Sequence, residues 1–174
     1  MYTHILQKNI VRQVAFCFAL SWFYALCSQI IIPLPFNFVP ISLQPLPLFL
    51  CTLILGWPAV YAYFFTILQT AFGAPFFSGF EGGIAKLLSP TGGYTFGFAL
   101  AMIFLALIKN YKPHAYICTF FKVTGAQIIL YTCGLLQLSY FVPHEKVLLL
   151  GLYPFVFGAI IKAGIITYVG TQKN

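Results

Sequence analysis

The stretch GAPFFSGFEGGIAKLLSPTGGY, residues 73–94, lies between two long apolar runs. It contains six of the chain's 14 glycines, one of its two acidic residues, Glu81, and a lysine, Lys86. Glycine and proline at this density interrupt regular structure, so the segment is expected to connect two helices. Its role depends on what the flanking runs are.

The composition of the whole chain is typical of an integral membrane protein. Hydrophobic residues make up 61% of the 174 positions, charged residues make up 6%, and the mean hydropathy is +0.94. These values are far from the average of soluble proteins. The net charge is +7, but the basic residues form no run or patch, so the sequence does not indicate a nucleic-acid partner. The expected surroundings are a lipid membrane.

Six apolar runs are candidate membrane spans, and each is bounded by proline, glycine or charge. They cover residues 10–32, 46–56, 58–72, 92–109, 115–138 and 154–171. The second run is too short for a hydrocarbon core of about 30 Å and joins the third through Gly56-Trp57-Pro58, so these two are expected to form a broken pair. EKVLLLG (145–151) is expected to be a short interfacial helix. We predict an all-α, six-helix membrane bundle, with residues 1–174 forming one domain.

The distribution of basic residues predicts the orientation. The first run follows Lys8 and Arg12 as a signal peptide would, but no convincing cleavage site follows it, and a retained helix is expected. With the N-terminus inside, the cytoplasmic flanks carry five basic residues, Lys8, Arg12, Lys109, Lys112 and Lys173. The outer loops carry only two, Lys86 and Lys146. The positive-inside rule therefore predicts a multi-pass protein of the cell membrane with both termini in the cytoplasm.

This topology places the long connections 33–45, 73–91 and 140–153 on the outer face, which suggests a ligand cavity that opens outward. The sequence has no GxxxxGK[ST] loop, no HExxH, no paired acids and no cluster of histidines. We therefore expect neither an enzyme nor a metal site. Because no nucleotide site is present, ATP could drive transport only through partner subunits.

The sequence PTGG (90–93) is expected to open the fourth long helix, with Ser89 or Thr91 as its N-cap. The backbone N–H groups of that first turn would then point into the outer cavity and could bind an acceptor group. Small residues recur every four positions at Gly93, Gly97 and Ala101, which favours close packing of another helix. Packing alone explains the glycines as well as ligand contact does.

Two lysines lie inside predicted spans. Lys162 is eight residues after Pro154, about 12 Å into the last helix. A lysine at that depth needs a partner or a water-filled cavity and is a candidate ligand-binding residue. Snorkelling, or pairing with a backbone carbonyl, is the alternative. Lys122 lies about two turns from its helix end and is expected to snorkel.

Four motifs in order resemble one family. They are PLPFNFVPISLQPLPLFLCTLILGWP (33–58), GAPFFSGFEGG (73–83), SPTGGYTFGF (89–98) and YPFVFGAIIKA (153–163). Together they resemble the BioY family, the substrate-binding S components of energy-coupling-factor (ECF) biotin transporters. The resemblance implies a six-helix S-component fold that captures biotin from outside. It also implies coupling to a T component with two ABC-type ATPases.

The resemblance and the chemistry of biotin together define a candidate site. Its residues are Lys162, Glu81, Tyr94, Gly92, Gly93, Thr91, Gln44 and Ser78. The ligand is biotin and no cofactor is expected. The family motif has an aspartate where this chain has Ala159, a glycine where it has Ser89 and a threonine where it has Ser42. Glu81 could supply the missing acceptor and neutralise Lys162; alternatively it is a solvated loop residue.

The segment AFCFA (15–19) is similar to the small-xxx-small signature through which S components dock on their T component. Ala15 and Ala19 would allow close helix approach. Internal packing of the first helix is the alternative. Two questions stay open: whether the chain forms a homo-oligomer, and whether it serves instead as an S component or facilitator for another small carboxylated vitamin-like molecule.

Overall fold

The computed structural model describes residues 10–32, 39–111 and 116–172, and about three quarters of them are helical. The helices and the two short strands are, in chain order, α1 (Ile10–Ser28), β1 (Ile31–Ile32), β2 (Ile41–Ser42), α2 (Pro45–Leu55), α3 (Trp57–Ala71), α4 (Ile84–Leu87), α5 (Gly92–Ile108), α6 (Tyr116–Leu138), α7 (His144–Gly151) and α8 (Tyr153–Gln172). The all-α prediction is confirmed. Lys8, Lys112, Lys173 and residues 33–38 of the first outer loop lie outside the described residues.

The six predicted spans correspond to α1, α2, α3, α5, α6 and α8, and the predicted short helix is α7. The first span was predicted too long, because α1 ends at Ser28 rather than at residue 32. The next residues become extended, and β1 pairs with β2 in antiparallel register, Ile31 opposite Ser42. The single-turn helix α4 inside the glycine-rich stretch was not predicted.

Helices α2 and α3 are separated by one residue, Gly56, as expected for a broken pair. Its φ angle of 75° lies in the left-handed region, where a side chain is strained. The N–H of Gly56 still bonds the Thr52 carbonyl at 2.8 Å, and Pro58 lies in the first turn of α3, where its missing N–H costs nothing. The chain therefore changes direction here without leaving these backbone groups unpaired.

The centre of the bundle is formed by α2 and α5. Helix α2 contacts α1, α3, α5 and α8, while α5 contacts α2, α3 and α6. The closest approach joins α5 to α6. A Cβ placed on Gly93 would lie 2.5 Å from the Cys133 carbonyl oxygen, and one on Gly97 would lie 2.7 Å from the Leu130 carbonyl oxygen. Ala101, the next position of the ridge, is fully buried, so the predicted small-residue packing surface is confirmed.

The outer surface of the bundle is apolar. Large hydrophobic side chains such as Ile117, Phe121 and Phe157 are exposed there, as expected for residues that face lipid. Among the described helices, three are long and apolar enough to cross a membrane by length and composition: α1, α6, and the continuous stretch of α7 and α8. The chain is therefore an all-α membrane protein.

Lys122 does not snorkel as expected, since its side chain is buried. Its ammonium group donates to the carbonyl of Lys109 at 3.2 Å and also to the carbonyl of Tyr111. Both carbonyls follow the last turn of α5, where helical carbonyls lack intrahelical partners. Lys122 therefore binds the C-terminal end of α5 to α6.

Candidate ligand-binding site

A cavity of about 320 Å³ lies at the end of the bundle where the long loops gather. Its walls come from β1 and β2, the start of α2, the start of α5, the second half of α6 and the start of α8. The loop of residues 73–91, called here the glycine-rich loop, closes one side through Phe77, Ser78, Gly79, Glu81 and Lys86. Helices α2, α5, α6 and α8 each contribute residues from the half that lies nearest the long loops, so the cavity opens at one pole of the bundle.

Aromatic rings form the apolar wall. Tyr131 stacks on Phe155 with ring centroids 6.2 Å apart, and Tyr94 meets Tyr131 edge to face at 6.5 Å. The Tyr94 hydroxyl donates to the Gly151 carbonyl at 2.7 Å, which fixes the ring against α7. Phe98 continues the wall one turn deeper. Rings held in this way can enclose a flat, apolar ligand without first having to be ordered.

Lys162 lines the cavity, and its ammonium nitrogen donates to the Ser42 carbonyl at 2.6 Å. The residue thus borders the cavity and also pairs with a backbone carbonyl, as the alternative expectation had it, and its binding of a ligand stays a prediction. This bond ties α8 to β2. An ammonium group has three donors, and the bond to Ser42 uses one of them.

Glu81 also lines the cavity, but it pairs with Lys86 and not with Lys162. The expectation that Glu81 neutralises Lys162 in the ligand-free protein is therefore wrong. The cause is local: both residues belong to the glycine-rich loop, and the turn of α4 brings Lys86 back towards Glu81. The Glu81 side chain is 52% exposed, so its carboxylate remains accessible at the mouth of the cavity.

The end of α1 holds the glycine-rich loop in place. The Gln29 side-chain amide donates to the Phe77 carbonyl at 3.0 Å and accepts from the Phe80 N–H at 2.9 Å. The Ser28 hydroxyl lies 2.5 Å from the Phe76 carbonyl oxygen. These bonds support a tight turn in which Gly79 and Phe80 both have positive φ. Sequence reasoning missed these two polar residues, although each stands at the end of an apolar run.

Six of the eight candidate residues line this cavity, namely Lys162, Glu81, Tyr94, Thr91, Gln44 and Ser78. The other two, Gly92 and Gly93, do not line it. A Cβ on Gly92 would overlap the Leu87 carbonyl, and one on Gly93 would overlap α6. These glycines permit close packing of the backbone.

The first turn of α5 also differs from expectation. Thr91 occupies the N-cap position, but its side chain makes no capping bond to the helix. The N–H groups of Gly92 and Tyr94 bond the carbonyls of Ser89 and Thr91, so they are not free to bind a ligand. The Gln137 amide secures the same segment by donating to the Ser89 carbonyl at 2.7 Å.

Ala159, the position at which the resemblance implies an aspartate in the family, is buried on α8 between Phe155 and Lys162. Its carbonyl accepts a 3.0 Å bond from the Gln127 amide of α6. Residues 155, 159 and 162 are spaced by four and three positions, which places them on one helix face. The face of α8 that borders the cavity therefore carries a cation and an aromatic ring, and it lacks a carboxylate.

Ala15 and Ala19 lie far from this site, and both are exposed on α1. The alternative that they pack inside the bundle is therefore excluded.

The helical fold, the lipid-facing surface and a cavity at one pole define a membrane-embedded substrate-binding protein. Residues 2–173 match the family model described as the BioY family. The chain is 36% identical over 137 residues to the biotin transporter BioY of Thermotoga maritima, a match that covers 75% of this chain and 78% of that protein. It is 31% identical over 140 residues to the biotin transporter BioY2 of Lactococcus lactis, covering 79% and 77% of the two chains.

A solved structure shares the fold. It is the crystal structure of the S-component for biotin from an ECF-type ABC transporter, with a TM-score of 0.81 at 21% identity, covering 93% of this chain and 90% of that one. The chain belongs to the BioY family.

Proposed function

We propose that this chain is the biotin-binding S component of an ECF-type importer. The observation that carries the proposal is the cavity, in which Lys162 and Glu81 border an aromatic wall on the fold of this family. A volume of about 320 Å³ is near the lower end of the range for small-molecule sites. Biotin has an apolar ring system, a ureido group with donors and an acceptor, and a carboxylate, and each has a counterpart in the cavity.

The proposed contacts follow from this chemistry. Lys162 binds a carbonyl or carboxylate oxygen of the ligand, and Glu81 accepts from the ureido N–H groups. Tyr94, Tyr131 and Phe155 enclose the apolar rings. Gln44, Ser78 and Thr91 supply further polar contacts. No cofactor or metal takes part, and no covalent chemistry is proposed.

The proposed orientation places the cavity outside the cell. Lys109 and Arg12 lie at the other pole, whereas Lys86 and Lys146 lie at the cavity pole. The positive-inside rule then puts both termini in the cytoplasm. We further propose that a T component and two ABC-type ATPases supply the energy and that the T component docks at Ala15 and Ala19.

Calorimetric titration of the purified chain with biotin tests the proposal. One-site saturation is expected. Absence of binding at millimolar biotin would overturn it.

A second candidate rests on Ala159, because loss of the family's aspartate leaves α8 without its acceptor. In that case the chain would bind another small carboxylated vitamin-like molecule. Such a ligand would displace biotin, or bind where biotin does not, in the same titration.

A further inference from the structure

A second cleft lies at the pole opposite the ligand cavity. Its volume is about 590 Å³. It is formed by the first turns of α1, the break between α2 and α3, and the last turn of α5. The polar residues on its walls are Gln13, Lys109 and Asn110, and the aromatic ones include Trp57 and Tyr61.

Lys109 is the cation of this cleft. Its ammonium nitrogen donates to the Ile54 carbonyl at 2.6 Å, at the end of α2. The end of its side chain lies over Gly56, where a Cβ would be 3.5 Å from both Cδ and Nζ. One bond to a neutral carbonyl leaves two of the three ammonium donors for another group.

No acidic side chain of this protein is placed to neutralise Lys109. The chain has two acidic residues, Glu81 and Glu145. Glu81 pairs with Lys86 in the glycine-rich loop, and Glu145 is exposed in the first turn of α7, also at the cavity pole. Lys122, which donates to the Lys109 carbonyl, adds positive charge nearby. Because burying an unneutralised charge is costly, an anion from outside the chain would complete the cleft.

The side chains on the walls of the cleft indicate which class of molecule the anionic group belongs to. Trp57 and Tyr61 stack with ring centroids 6.1 Å apart and are 41% and 55% exposed. Leu107, across the cleft, is 66% exposed. Tryptophan and tyrosine favour the boundary between headgroups and hydrocarbon, and basic pockets between helices suit anionic headgroups. The cleft thus joins a cation to apolar walls that open towards lipid.

We propose that this cleft binds an anionic phospholipid, with its phosphate on Lys109 and an acyl chain along Trp57, Tyr61 and Leu107. The amides of Gln13 and Asn110 are near enough to the cleft to donate to the same headgroup. A bound headgroup would bridge α1, the α2–α3 break and α5. This site is separate from the biotin cavity and does not depend on the function proposed for it.

Trp57 provides the probe. The chain has two tryptophans, Trp22 and Trp57, so Trp22→Phe leaves a single reporter in the cleft. The purified variant is placed in phosphatidylcholine vesicles that contain a minority of phosphatidylglycerol. In separate samples, one of the two lipids carries bromine near the headgroup end of an acyl chain. The bromine quenches the fluorescence of Trp57 when that lipid is adjacent to it. We expect brominated phosphatidylglycerol to be enriched at Trp57 roughly fivefold, the effect of about 1 kcal/mol per basic residue.

Charge variants show whether Lys109 is responsible. Lys109→Gln should remove the enrichment, whereas Lys109→Arg and the exposed control Lys146→Gln should retain it. Equal quenching by the two lipids in the parent would overturn the proposal, as would enrichment that survives Lys109→Gln. Suppression of the enrichment by millimolar inorganic phosphate would also overturn it, because the cleft would then be a site for the free ion. The comparison of quenching by the two brominated lipids in the parent protein tests the proposal even if Lys109→Gln fails to fold.

Discussion

Two charged residues of the cavity, Lys162 and Glu81, already have partners within the protein. Lys162 donates to the neutral Ser42 carbonyl, whereas Glu81 pairs with the Lys86 cation. A carboxylate is a stronger acceptor for an ammonium group than a neutral carbonyl is. A ligand carboxylate can therefore replace Ser42, or bind beside it, at little cost. The Glu81 side of the cavity differs, because a ligand that donates to the Glu81 carboxylate must share that carboxylate with Lys86.

Lys162→Ala should weaken biotin binding by about 2–5 kcal/mol, as expected when one partner of a buried charged contact is removed. Calorimetric titration of the variant gives the change in Kd. Lys146→Ala is the matched control, because Lys146 is exposed on α7. Membrane insertion of Lys162→Ala should stay close to that of the parent. Unchanged affinity would remove Lys162 from the proposed site.

Glu81→Gln should weaken biotin binding by roughly 1.5–3 kcal/mol, because it replaces a charged acceptor by a neutral one. Adding Ala159→Asp should recover much of the loss, since α8 would again carry a carboxylate one turn from Lys162. Lys86→Gln is the control, because it removes the ion pair and keeps the Glu81 carboxylate. If Lys86→Gln weakens binding as much as Glu81→Gln does, the ion pair matters and direct contact with the ligand does not.

Sequence reasoning identified residues of this cavity where chemistry alone singled them out. Lys162 is charged within a span, and Glu81 is one of two acids, so each was visible without a fold. Tyr131 and Gln29 were missed because an aromatic or amide residue near a helix end has many ordinary roles. Their contribution depends on how α6 and α1 are rotated, which periodicity does not give when a helix is apolar on every side.

At the scale of helices, the contact of α5 with α6 sets the position of Tyr94 and therefore of the aromatic wall. The two backbones approach closely because Gly93 and Gly97 have no side chains. Gly134 serves the same purpose on α6, where a Cβ would overlap the Tyr94 ring. The glycines predicted for the ligand thus act indirectly, by letting Tyr94 reach its place.

Gly93→Ala should destabilise the protein by about 1–3 kcal/mol, the usual range for overpacking. The added carbon would lie 2.5 Å from a backbone oxygen of α6, which cannot move without shifting the helix. Gly164→Ala in α8 is the control, because nothing lies within 4 Å of its added carbon, and it should be neutral or slightly stabilising. Thermal unfolding in one detergent compares the two. Equal thermal midpoints for the two variants would show that α5 and α6 have room for a methyl group at this contact.

The helices themselves could be predicted because apolar runs bounded by proline, glycine and charge leave few alternatives in a membrane. The break at Gly56 was visible for the same reason. The end of α1 was not, since residues 30–32 are as apolar as the helix before them, and Ile31 and Ile32 are extended where they pair with β2. Such a long-range partner cannot be identified from a local pattern.

At the scale of the whole molecule, the two poles differ in charge and in shape. The cavity and both acidic residues lie at one pole, and the cleft of Lys109 lies at the other. Ala15 and Ala19 are exposed on α1, in the half of the helix whose residues also line the cleft. A docking partner at this face would not contact the cavity directly, because no residue of α1 lines it. Ligand binding and docking should therefore be separable by substitution.

Replacing both Ala15 and Ala19 with tryptophan should abolish biotin uptake in cells that also contain a T component and its ATPases, while the purified chain should bind biotin with unchanged affinity. The reason is steric, because close helix approach requires small side chains along the contact. Ile128→Trp with Thr132→Trp is the matched control, since these residues have the same spacing of four and are also exposed, on α6. That control should retain uptake. Copurification of the T component with the Ala15 and Ala19 double variant at the parent level would show that docking uses another face of the bundle.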